Sequence, residues 1–145
     1  MSGHLDQHTL VWQGAIATAS KVYTATAQMD SRYADLQERM RSAALQLATN
    51  LAQVCMQPKR LQRIALLNAA TGPLAELETQ LHVAIELGIL DPKLSLVSQV
   101  ARLRMLAASA IRSLQEQRSL DTRIPWQVSP RAMASPTKMI DQKPL

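Results

Sequence analysis

The sequence predicts an all-α protein, an antiparallel up-down four-helix bundle, from three observations. Ala, Leu, Gln and Arg dominate a chain of 145 residues with no Phe and only 4 Gly, which suits helices and denies strands the aromatic and β-branched residues they draw on. Apolar residues recur in steps of three and four, most cleanly in LAELETQLHVAIELGIL, residues 74–90, as one face of a helix requires. Breakers stand between such runs, at Asp30-Ser31, Pro58 and Asp91-Pro92, where a bundle needs its turns.

Residues 1–9 read as a polar lead, 10–118 as the bundle and 119–145 as a Pro-rich tail. A first helix, capped by Asp6 or Thr9, runs to the region of Met29 with Trp12, Ile16, Ala19 and Tyr23 as its inner stripe. Asp30-Ser31 supplies turn and N-cap chemistry for a second, which carries Tyr33, Leu36, Met40, Ala43, Leu47 and Val54 inward and ends near Met56. Pro58 forces its predecessor out of helical geometry and stops it. The third helix spans Lys59 to Leu87 and bends at Gly72-Pro73, because the stripe Leu61, Ile64, Leu67 resumes at Leu74, Leu77, Leu81, Ala84 and Gly88, while Glu76, Gln80 and Glu86 point away. Gly88 is placed to close it in a left-handed conformation. Asp91 as N-cap and Pro92 as first helical residue open a fourth helix to Arg118, with Leu96, Val100, Leu103, Ala107, Ala110 and Leu114 inward. Val97, Ala101, Ala108 and Ile111 widen its apolar side into a possible intersubunit surface. In the tail, Pro125, Pro130, Pro136 and Pro144 preclude a helix, and Trp126 reads either as an anchor on the bundle or a neighbouring subunit or as a loosely held side chain.

Chemistry is sparse. The di-metal pattern of paired Glu-x-x-His motifs is missing, and Glu78 and His82 read as a surface pair. His4 and His8 fall in the polar lead. Cys55 has no predicted helix start or His beside it and reads as packing. Asn50 reads as a buried polar contact that fixes helix register. Neither a phosphate-cradling glycine loop nor a nucleophile elbow occurs. The expectation is no enzyme, no cofactor and no metal. The lone cysteine, the lack of an apolar run long enough to span a bilayer and a start unlike a secretory signal point to a cytoplasmic protein with no membrane partner.

Sixteen Lys and Arg against 11 Asp and Glu leave a net charge of +5, which favours an anionic partner. Arg39, Arg41, Lys59, Arg60 and Arg63, with Arg60 and Arg63 on one face, and a further basic group of Arg102, Arg104, Arg112 and Arg118 read either as a solvated helix surface or as phosphate contacts, for which the first five are the candidates. Trp12, Tyr23 and Tyr33 lie on inward stripes, so structured RNA or duplex suits the surface better than a single strand.

LVWQGAIATASKVY, DSRYADLQERMRSAALQLATNLAQV and GPLAELETQLHVAIELGIL together resemble the four-helix-bundle proteins encoded in intervening sequences of bacterial 23S ribosomal RNA genes. That group is similar to the accessory variability determinant (Avd) proteins of diversity-generating retroelements, basic pentameric barrels that bind reverse transcriptase and nucleic acid. Arg41, Ala43, Ala44, Leu47, Asn50, Leu51 and Ala52 keep the outline of the segment that closes the family's second helix; Gln53 and Val54 replace its Glu-Gly ending, Ala48 its proline, and Pro73 is an addition. The resemblance implies a non-enzymatic homopentamer with RNA, DNA or a reverse transcriptase as partner. The alternative is a protein-interaction or self-assembly module that binds no nucleic acid.

Overall fold

The computed structural model describes residues 6–121, and their side chains as far as residue 117. Four α-helices fill that span, α1 (Gln7–Thr26), α2 (Ala34–Met56), α3 (Arg60–Glu86) and α4 (Ser95–Asp121), with a 3-10 turn at Ser31–Tyr33 between the first two and no strand among the described residues. Among the described residues, 6–115 form one compact unit, to which the bundle core belongs. His4 and the tail from residue 122 on, Trp126 included, lie outside the described residues, as does the side chain of Arg118.

Local chemistry sets each boundary. Asp6 caps α1 by accepting from the His8 N–H at 3.3 Å, so the helix begins three residues ahead of the expected bundle start. It stops at Thr26 rather than near Met29. Asp30 accepts from the Arg32 N–H at 2.9 Å and opens the short turn that leads into α2. Gln57 is extended (φ −86°, ψ 117°) ahead of Pro58, as the proline demands. At the end of α3, Gly88 takes φ +72°. Its N–H donates to Ile85 O and that of Ile89 to Ala84 O, both at 2.9 Å, a Schellman closure that satisfies carbonyls the helix would otherwise orphan. The start of α4 also falls elsewhere than expected. Asp91 Oδ1 accepts from the Lys93 N–H at 2.8 Å, so Asp91-Pro92 builds a turn of its own and α4 starts only at Ser95.

The core runs the length of the unit: Val11, Ala15 and Val22 from α1, Met40, Leu47 and Leu51 from α2, Leu67, Leu77 and Leu81 from α3, and Leu96, Val100 and Leu103 from α4. The expected stripes of α2 and α4 are buried as read, with Tyr33 and Leu36 half-buried at the start of the former. Those of α1 and α3 need correction. On α1, Val11, Ala15, Thr18, Val22 and Thr26 face inward, and of the expected stripe only Ala19 is buried, while Ile16 and Tyr23 are exposed and Trp12 is half-buried. The inner face is therefore turned by about one residue, or 100°, from the line through the bulkiest side chains. On α3 the exposed Leu61 and Gly88 fall off the stripe, and Gln80 is buried with its Nε2 donating to Glu76 Oε1 at 3.0 Å. Helix α3 runs unbroken through Pro73. Asn50 is half-buried, which removes the need for an enclosed partner.

Candidate nucleic-acid interface

The five expected phosphate contacts do not gather in one place. Arg39 and Arg41 sit near the start of α2, whereas Lys59, Arg60 and Arg63 flank the start of α3 beyond the end of α2. At about 1.5 Å per residue, Arg41 and Gln57 are roughly 24 Å apart along that helix. Arg39 and Lys59 are exposed. Arg41, Arg60 and Arg63 are half-buried.

Two of the guanidinium groups hold helix ends. Arg41 Nε donates to Thr26 Oγ1 at 3.0 Å and Nη2 to Tyr23 O at 3.3 Å, while the group lies 4.6 Å from the Tyr23 ring centroid. Gln37 Nε2 adds a 2.6 Å bond to Thr26 O. Together they satisfy carbonyls at the end of α1, where a cation also complements the helix dipole. Arg63 Nε donates to Gln57 O just past the end of α2. These arginines are positioning residues for the loops, and a phosphate would have to compete with backbone carbonyls for them. On α4, Arg104 Nη2 stands 3.6 Å from Glu78 Oε1 on α3, so Glu78 pairs across helices rather than with His82.

A second cluster lies where α1 begins and α2 ends. His8, read as part of the polar lead, is 7% exposed, and its Nδ1 has no hydrogen-bond partner. Burial, reinforced by the Arg63 charge and opposed by that of Asp6, holds its pKa below the ordinary value. Cys55 is half-buried beside Thr9 and within the field of Asp6 and Arg63. Burial first and then Asp6 push its thiol pKa up, against a Thr9 hydrogen bond and Arg63, which keeps it protonated near neutrality despite the helix start that the sequence did not place there. Among the described residues no three of His, Cys, Asp and Glu converge as a metal site would need. No described helix is long and apolar enough to cross a membrane.

The His8 geometry gives a pH dependence. Because its folded pKa is depressed, the unfolded chain binds the proton more readily. Stability contributed by neutral His8 is present above the unfolded value of about 6.5 and falls as pH drops through that value toward the folded pKa. Denaturant titrations at pH 7.5 and pH 5 are expected to show a loss that shrinks in His8→Gln; an equal loss in both chains rules His8 out as its source.

The family model described as 23S rRNA-intervening sequence protein matches residues 7–116, the span from the first residue of α1 into the later turns of α4. No curated protein matches the chain.

Proposed function

The chain belongs to the 23S rRNA-intervening sequence protein family, and from that premise we propose a non-enzymatic cytoplasmic scaffold, an antiparallel up-down bundle assembled as a homopentamer, whose basic surface associates with structured RNA or duplex. The observation that carries this reading is apolar surface left over outside a closed core. Met40, Leu67 and Leu77 are inaccessible, yet Ile16, Tyr23 and Leu45 on α1 and α2 are 47, 40 and 48% exposed. Side chains of that size on a surface favour a partner, and a second copy of the same chain is the simplest one. Copies that meet through them pool their charge, about +25 for five chains of +5 each. The up-down order has its support in α1 and α4, where Gln7 reaches Ser109 and Lys21 reaches Ser95, so one helix rises as the other descends. Resemblance to the Avd group adds a reverse transcriptase as protein partner.

The test is binding of structured RNA and of DNA duplex at rising salt, with the molar mass in solution measured alongside. Expected are an oligomer and an affinity that falls steeply with salt; a monomer that binds neither at low salt sinks the reading. The roles of Arg41 and Arg63 at helix ends favour the second reading, a self-assembly or protein-interaction module, because they leave fewer cations disposed toward a polyanion. An oligomeric chain that captures neither RNA nor DNA at low salt would support it.

A further inference from the structure

Charge is divided unevenly among the four helices. In α2, Asp35 and Glu38 balance Arg39 and Arg41, and in α3, Glu76, Glu78 and Glu86 oppose Arg60 and Arg63. Helix α1 and residues 95–115 of α4 contain no carboxylate at all. These two helices are neighbours. Gln7 Nε2 donates to Ser109 Oγ at 3.1 Å and Lys21 Nζ to Ser95 Oγ at 3.5 Å, and a Cβ added at Gly14 would stand 3.2 Å from Leu103 Cδ1. A groove between them is lined by Lys21, Ser98 and Arg102 and floored by Leu103 and Leu106. An adjoining hollow on the outside of α4, walled by Met105, Leu106, Ala108 and Ile111, takes Arg102 again at one end and Ser109 and Arg112 towards the other. Lys21, Arg102 and Arg112 are all exposed. Along α4, Ser95, which Lys21 touches, lies about 10 Å from Arg102, and Arg102 about 15 Å from Arg112.

We propose that this α1–α4 face is the track for an RNA helix, with Lys21, Arg102 and Arg112 on phosphates and Ser98 and Ser109 beside the 2′-hydroxyls. It rests on the nucleic-acid reading above and moves the principal contacts away from α2 and the start of α3. Lys21, Arg102 and Arg112 are spaced along some 25 Å with no carboxylate between them, Glu116 standing one turn beyond the last, so they attract a phosphate backbone along that length, whereas Arg39 and Arg41 of α2 follow directly on Asp35 and Glu38. RNA is favoured over DNA because hydroxyl groups alternate with the cations and can exchange hydrogen bonds with ribose, which DNA cannot offer. Gln99 lines the same groove, and its Oε1, buried without a partner within the chain, is an acceptor suited to a ribose hydroxyl.

The experiment compares the full-length chain with a Lys21→Gln, Arg102→Gln, Arg112→Gln triple variant and with an Arg39→Gln, Lys59→Gln double variant, on an RNA duplex and a DNA duplex of the same sequence, over a range of salt. The exposed positions leave the fold intact, and thermal unfolding verifies it; a single Arg102→Gln chain serves if the triple variant is perturbed. Expected is at least a tenfold loss of RNA affinity in the triple variant and a log–log salt slope lower by about two to three, since each lost phosphate contact removes about 0.9. The double variant is expected to stay within threefold of wild type. A triple variant that binds RNA as wild type does overturns the track and leaves the nucleic-acid reading standing. DNA bound as tightly as RNA by the wild-type chain overturns the choice of RNA, and a wild-type chain that binds neither overturns both readings together.

Discussion

Leu77→Ala is expected to lower the unfolding free energy by about 2–5 kcal/mol, a fall in Tm on the order of 10 °C or more. Leu77 is wholly inaccessible in the middle of α3 and belongs to a core built from all four helices, so truncation removes buried methyl groups and leaves a cavity that long helices packed on each side collapse into poorly. The informative companion is Leu61→Ala, sixteen residues upstream on the same helix. Leu61 is 58% exposed, so its truncation is expected to change stability by less than about 0.5 kcal/mol in the monomer. Urea titration of the two variants checks the contrast. A large loss at Leu61 would place that residue in a buried seam, either within the bundle or between copies, and the dependence of the midpoint on protein concentration tells those apart.

Pro73→Ala is expected to act in the opposite direction, raising the unfolding free energy by about 1–2 kcal/mol. An interior proline costs roughly 3 kcal/mol relative to alanine, because the ring lacks an N–H for the carbonyl of Ala69 and crowds that same carbonyl. Part of the gain is returned, since alanine frees the unfolded chain by about 0.4–1 kcal/mol and loss of the ring disturbs packing adapted to the proline. Leu74 and Ala70 flank the site and are both buried, so the packing contribution is real. A loss of stability in Pro73→Ala would mean that the irregularity at this position is required for the two halves of α3 to meet the core together.

The elements were legible because their punctuation is chemically unambiguous. Asp6, Asp30, Pro58 and Gly88 act as a capping carboxylate, a turn carboxylate, a breaker and a left-handed closure, each through its own local chemistry. Asp91-Pro92 misled because the same pair serves a turn as well as a helix start, and the choice depends on how far the chain must travel before α4 can pack. Faces were harder. On α1 the bulky Trp12, Ile16 and Tyr23 trace one line and the small Val11, Ala15 and Val22 another; the second is buried because small residues let α1 approach its neighbours closely, as the narrow space at Gly14 illustrates. The candidate site was least legible. Residue type alone gives every arginine the same standing, and only the fold reveals that Arg41 and Arg63 are occupied at helix ends. His8 and Cys55 both come under the charges of Asp6 and Arg63 because α1 begins where α2 ends, a juxtaposition with no trace in their separation along the chain.

The want of carboxylates on α1 and the first turns of α4 acts at a distance as well as on contact. A chain whose unbalanced positive charge lies toward one pair of helices carries an electric moment, and a polyanion several ångströms away exerts a torque on it before any side chain touches. Molecules arriving in random attitudes are turned to present those helices first, so the speed of encounter, and not merely its strength, becomes sensitive to dissolved ions.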